Sequence, residues 1–206
     1  GFSNSTRGIS AGGGLGNETS PVNVINYLTI STLGNAADFG DLTSARLAES
    51  GTSTAVRGVM GAGGVAGSNI LDYITIASQG NAADFGDLVV ATHHWGGACG
   101  SGVRGAWGGG GGNGMINTID YIVIASTGNA ADFGDLTHLG SGISAVSSRT
   151  RGVWAGGKDT STPTFTNIID YISFSTTGNA ADFGDLTAAR MTTNQGLSDV
   201  HGGLGV

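Results

Sequence analysis

Gly34–Leu42 reads GNAADFGDL, and the same nine residues return unchanged at Gly80–Leu88, Gly128–Leu136 and Gly178–Leu186. The copies start 46, 48 and 50 residues apart. Self-similarity at a nearly fixed period marks a tandem-repeat architecture, and the small drift in spacing places the length differences in connecting loops.

Other positions recur in phase with the nonapeptide. An Arg-Gly pair opens an apolar, Gly-rich stretch at Arg7, Arg57, Arg104 and Arg151, and His201-Gly202 takes that place after the fourth copy. A second stretch reads NVINYLTIS, NILDYITIA, NTIDYIVIA and NIIDYISFS and contains every tyrosine of the chain: Tyr27, Tyr73, Tyr121 and Tyr171. This stretch is β-branched and aromatic, alternates with period two and is bounded by Gly, Ser and Asn, as a strand should be. In the second copy Ile74 and Ile76 fall on one face, Tyr73 and Thr75 on the other. That copy divides into strand a (Ala45–Ser50), strand b (Arg57–Gly63), strand c (Asn69–Ser78) and a short strand d (Asp84–Val89). No segment has a sustained helical period.

The expected fold class is therefore all-β: one repeat domain over residues 1–206, with units at about 1–43, 44–89, 90–137 and 138–187 and a partial fifth at 188–206. Four strands in about 48 residues is the size of one propeller blade. A lone sheet of that size cannot bury its faces, whereas stacked neighbours can. The first unit is expected to begin just before its strand b. After the fourth, a strand a near Ala188–Thr193 and an extra b-like strand at His201–Val206 are expected. The strand near Ala188 could complete the first blade, or the array could run on.

Composition narrows the function classes. The chain holds 40 glycines in 206 residues, interleaved with Val, Ile, Leu, Tyr and Phe, and 11% charged residues. Glycine at this density fits many tight turns that need φ > 0. A formal net charge of −7 argues against a nucleic-acid partner and against an anionic membrane surface. No apolar stretch approaches the roughly 20 residues needed to span a bilayer as a helix. A single cysteine, Cys99, allows no intrachain disulfide and reads as a small buried hydrophobe.

The order of Arg, a stretch ending in Gly-Gly, a variable loop, a strand with Tyr and a later aromatic resembles the kelch repeat. The doublets are Gly12-Gly13, Gly63-Gly64, Gly108-Gly109 and Gly156-Gly157, and Phe39, Phe85, Phe133 and Phe183 stand where kelch repeats usually carry Trp. That resemblance implies a propeller and no particular activity. The nonapeptide, with the RG-x-x-x-GG and IDYI-type stretches, also resembles Gly-rich GNA-DFGDL repeat arrays of bacteriophage virion and tail-fibre-like structural proteins. This second resemblance implies a virion-surface or adhesin role.

The recurrent charged residues read as scaffold. Asp38, Asp41, Asp84, Asp87, Asp132, Asp135, Asp182 and Asp185 sit in the nonapeptide, and Asp72, Asp120 and Asp170 precede tyrosines, where the first copy has Asn26. Asp and Asn fix turns through side-chain-to-backbone bonds, and the Arg7, Arg57, Arg104 and Arg151 forks can hold a carboxylate within a blade or across to the next. An alternative is Ca²⁺ held by Asn35, Asp38 and Asp41, although their spacing lacks an EF-hand or β-roll pattern. The four Asp-Phe-Gly triplets lack the other kinase motifs, and Gly108–Gly112 lacks the ending of a phosphate loop.

Function is then expected where the copies differ, on loops. The binding candidates are His93, His94, Trp95, Asn113, Lys158, Asp159 and Phe165. Trp107 and Trp154, in register with Ser10 and Met60, read as packing between blades or lining of the axis. No nucleophile–base–orienter set stands out. The expectation is a non-enzymatic structural or binding module of a virion or other extracellular assembly. It would contact a cell-surface glycan, other structural subunits or its own copies. A polysaccharide depolymerase and a kelch-like protein-interaction adaptor are the alternatives.

Overall fold

The computed structural model describes residues 1–16, 20–47, 50–64, 67–91, 94–111, 114–159 and 165–192. These residues form four antiparallel four-stranded sheets in chain order and no helix. Unit one holds β1 (Phe2–Ser3), β2 (Arg7–Ala11), β3 (Val22–Thr29) and β4 (Ala37–Arg46). Unit two holds β5 (Ser50–Ser53), β6 (Arg57–Gly61), β7 (Ile70–Thr75) and β8 (Ala83–Asp87). Unit three holds β9 (Gly97–Gly100), β10 (Arg104–Gly111), β11 (Met115–Val123) and β12 (Ala131–Asp135). Unit four holds β13 (Ser144–Ser147), β14 (Arg151–Ala155), β15 (Ile168–Ser173) and β16 (Ala181–Asp185). Each sheet is a meander, and β5, β9 and β13 lie side by side as the first strands of successive sheets.

The repeat reading holds at the level of four tandem four-stranded β units, with three corrections. The first strand of unit two lies at Ser50–Ser53 rather than Ala45–Ser50, because β4 runs on to Arg46, which pairs with Val22. Unit one does possess a first strand, Phe2–Ser3, paired with Gly8–Ile9. Its Phe2 packs against the core shared with unit two, which anchors so short a strand. Residues 188–192 form no strand, so the one expected near Ala188 is not there; Thr193 and His201–Val206 lie outside the described residues.

The nonapeptide is a built-in irregularity. In each unit the register between the third and fourth strands shifts by one residue, so that Phe39, Phe85, Phe133 or Phe183 is the extra residue of a β-bulge. The preceding Asp side chain accepts the N–H of the following Gly at 3.2, 3.1, 3.0 and 2.9 Å in units one to four. Those glycines have φ of 144°, 138°, 143° and 137°, values that L side chains rarely adopt. Asp-Phe-Gly is thus a turn device: Asp closes the bulge, Gly permits it and Phe is turned out of the ladder.

In three units Phe is turned inward. Phe39, Phe85 and Phe133 are 3%, 2% and 2% exposed. Each meets the tyrosine of its own third strand edge-on, at 5.9, 6.0 and 5.5 Å between centroids. The core is three clusters, each shared by successive units. Ile9, Ile25 and Phe39 of unit one meet Met60, Ile74 and Ile76 of unit two. Val59, Leu71 and Phe85 meet Trp107, Ile122 and Ile124. Ala106, Ile119 and Phe133 meet Trp154, Ile172 and Phe174. The alternation read along the Tyr-bearing strand is therefore real: Ile74 and Ile76 face the preceding unit, while Tyr73 packs on the cluster shared with the following one.

Candidate functional site

The recurrent polar residues assemble the junctions between units. Gly80, Gly128 and Gly178 donate their N–H to the carbonyls of Phe39, Phe85 and Phe133 at 2.8, 2.7 and 2.7 Å. Ala82, Ala130 and Ala180 donate to the carbonyls of Asp41, Asp87 and Asp135. The side-chain oxygens of Asn81, Asn129 and Asn179 accept the N–H of the same three aspartates at 3.1, 3.1 and 3.2 Å. The GNA end of one nonapeptide is thus laid along the FGD end of the one before it. A Cβ added at Gly86 would lie 2.5 Å from the Gly128 carbonyl, so glycine is required there by contact as well as by φ.

The second-strand arginines of units one to three span the same junctions. Arg7, Arg57 and Arg104 stack over Tyr27, Tyr73 and Tyr121 of their own units, 4.8, 4.6 and 5.0 Å from the ring centres. Their Nη1 atoms donate to the carbonyls of Ile76, Ile124 and Phe174 in the next unit at 2.7, 3.0 and 2.7 Å. The arginines do reach across, but to carbonyl oxygens rather than to the carboxylates expected from composition.

A third connection uses the aspartate before the tyrosine. Asp72 accepts Thr43 N–H at 3.1 Å, Thr43 Oγ1–H at 2.6 Å and Arg46 Nη2 at 2.7 Å, all from the segment leaving unit one. Asp120 accepts the N–H groups of Val89 and Val90 from the segment leaving unit two. Asp170 accepts Thr137 N–H at 2.9 Å and Thr137 Oγ1–H at 2.7 Å, with His138 Nδ1 at 3.4 Å. All three carboxylates are 0% exposed. Burial pushes the Asp170 carboxyl up, but His138 and the two Thr137 bonds outweigh it and hold the group below its ordinary value.

Asp38 Oδ1 faces the Gly40 N–H, and the oxygens of Asn81, Asn129 and Asn179 are turned onto a neighbour's backbone. Among the described residues no group of three or more His, Cys, Asp or Glu side chains gathers as metal ligands.

The residues that differ between copies lie elsewhere. His94 and Trp95 stand in the segment between β8 and β9, with rings 5.8 Å apart. The His94 carbonyl accepts Gly111 N–H, and the Trp95 carbonyl accepts Gly142 N–H, each at 2.8 Å. Trp95 sits at φ 61°, a conformation that costs a non-glycine residue about 1–3 kcal/mol and persists only where surroundings impose it. Next to Gly142, Ser141 pairs with Lys158, and Lys158 pairs with Phe165 through isolated antiparallel bridges. His94, Trp95, Lys158 and Phe165 thus belong to one connected run of loop backbone spanning units three and four, with Lys158 and Phe165 exposed and Asp159 half-buried. His93 and Asn113 lie outside the described residues.

A cleft of about 390 Å³ was not legible from the sequence. It is lined by the first strands of all four units, including Thr52, Ser53, Cys99 and Ser147, and by Asn26, Tyr27 and Leu28. The Cys99 thiol is buried, and desolvation drives its pKa far above the ordinary thiol value, which disfavours the thiolate. Trp107 and Trp154 are fully buried, and their Nε1–H groups donate to the Ser50 and Gly97 carbonyls of the preceding unit, which confirms packing between units.

No protein-family model matches this chain, and no curated protein does.

Proposed function

We propose that the chain is a non-enzymatic structural and binding module of an extracellular assembly. It would be a propeller-like array that holds variable loops toward a surface glycan or a neighbouring subunit. The observation that carries this reading is a division of labour. Arg7, Arg57, Arg104, Asn81, Asn129, Asn179, Asp72, Asp120 and Asp170 are engaged in unit-to-unit junctions, whereas His94, Trp95, Lys158 and Phe165 lie along one connected run of loop backbone. Aromatic rings, an exposed cation and loop hydrogen-bonding groups carried on one run of backbone are chemistry suited to a sugar face. Virion-surface placement is the setting implied by the resemblance to phage repeat arrays.

The reading is tested on a panel of bacterial surface polysaccharides and oligosaccharides, with Trp95→Ala and Phe165→Ala as controls. Binding by the parent chain that both substitutions weaken supports the glycan role. Co-purification with particles or filaments without glycan binding supports the purely structural role. Neither result, or release of oligosaccharide fragments from the panel, would overturn the proposal.

A further inference from the structure

Among the described residues the three junctions between units are built alike, and the forward face of unit four and the rearward face of unit one, whose Leu28 also lines the cleft, present the two halves of that same junction. The forward face of unit four repeats the forward faces of units one to three. Val153, Ile169 and Leu186 are partly exposed where their counterparts are buried, and Phe183 is 54% exposed against 2–3% for the other three phenylalanines. Arg151 stacks over Tyr171 at 5.1 Å, as the other arginines do. Gly184 has nothing within 4 Å of an added Cβ, where Gly40, Gly86 and Gly134 each meet the next unit's backbone. The rearward face of unit one is the counterpart: Leu28 and Ile30 are 48% and 53% exposed, against 3% and 0% for Ile74 and Ile76. The connecting chemistry is present too. Thr187-Ala188-Ala189-Arg190 follows Leu186 as Thr43-Ser44-Ala45-Arg46 follows Leu42, and Asn26 occupies the position of Asp72.

We propose that a second copy of this chain docks head to tail, with the rearward face of its first unit seated on the forward face of unit four. Phe183 would pack against Leu28 and Ile30 of the second copy, and Arg151 would reach the Ile30 carbonyl. Thr187 would donate to the Asn26 side-chain oxygen. Asn26 suits an intermolecular junction. An amide supplies the acceptor that Thr187 needs, yet it places no carboxylate in a site that must be buried on docking and bare on release. The contact is heterologous, so copies close into a ring or continue as a filament according to the rotation per junction. The inference extends the assembly side of the proposed function and is independent of any glycan.

The test is the solution mass of the whole chain by light scattering across its soluble concentration range, beside Phe183→Asp, Leu28→Asp and their equimolar mixture. Both side chains are about half exposed, so far-UV circular dichroism should be unchanged. The expected result is a parent chain that self-associates, two variants that are each monomeric, and a mixture that forms a one-to-one dimer through the single intact pair of faces. A parent chain that stays monomeric overturns the proposal, as does association that survives either substitution or a mixture that fails to pair. Glycan binding by the monomeric variants would leave the preceding reading standing on its own.

Discussion

Arg46 Nη2 lies 2.7 Å from Asp72 Oδ2, with the guanidinium 2% and the carboxylate 0% exposed, and this buried pair joins the end of unit one to unit two. Removing one partner strands the other charge away from water. Arg46→Met is expected to destabilise the chain by about 3–5 kcal/mol. Adding Asp72→Asn should recover much of that loss, since the amide oxygen still accepts the Thr43 N–H. Denaturant titrations of Arg46→Met, Asp72→Asn and the double variant close the cycle, and additive losses would show that the pair is not coupled.

The same glycine should differ in importance by unit. Gly86→Ala pays for an unfavourable φ, about 1–3 kcal/mol, and also for a Cβ placed 2.5 Å from the Gly128 carbonyl. Gly184→Ala at φ 137° has open space around it and should show the first cost alone. Thermal melts of both substitutions in the Leu28→Asp background separate the two; equal losses would contradict the contact argument.

Arg104 and Arg151 form a similar contrast. Arg104 bonds to the Phe174 carbonyl and stacks on Tyr121, so Arg104→Met should cost about 1.5–3 kcal/mol. Arg151 stacks on Tyr171 at an exposed site, and its replacement should cost about 0.5–1 kcal/mol in the same background.

Acid should loosen the junction between units three and four. The Asp170 carboxyl is held below its ordinary value of 3.8 in the folded chain. A depressed folded pKa contributes stability that is fully present above the unfolded value and is lost as pH falls through the folded one. The difference in unfolding free energy between the parent and Asp170→Asn should be constant at neutral pH and shrink below about pH 4. A difference that did not change with pH would remove the ionised carboxylate from the account.

Cys99 should react with a thiol reagent only when the surrounding packing opens. Its sulfur is buried in the cluster containing Trp154 and Phe174, and burial disfavours the thiolate. Rapid labelling of the native chain at pH 8 would contradict this placement.

Much of the architecture could be read before the structure, because it rests on local pattern. The unchanged nonapeptide marks the units, the alternation around Tyr73 sorts Ile74 and Ile76 to one face, and the changing size at Ser10, Met60, Trp107 and Trp154 signals a packing position. What escaped depends on where a neighbouring unit sits. Nothing local to Arg57 says that its partner is the carbonyl of Ile124, or that Asp72 receives Arg46. The Gly-Gly doublets were likewise misleading in two units. The position matching Gly12-Gly13 is Ala62-Gly63 in unit two and Gly109-Gly110 in unit three, with Ala62 itself at φ 62°. Of the candidate binding residues, adjacency in loops was legible, whereas the bridging of Lys158 to Ser141 and Phe165 came only from the fold.

The pairing of one nonapeptide's GNA end with the FGD end of its predecessor has a consequence for how such a chain can change over generations. The second and third copies are each both lock and key, so a substitution in either is judged by two neighbours, and gradual divergence of the motif there is penalised twice. Recombination between copies, by contrast, adds or deletes a whole unit and regenerates a junction of the kind already present. A motif paired in this way therefore resists change letter by letter more than it resists the gain or loss of an entire unit.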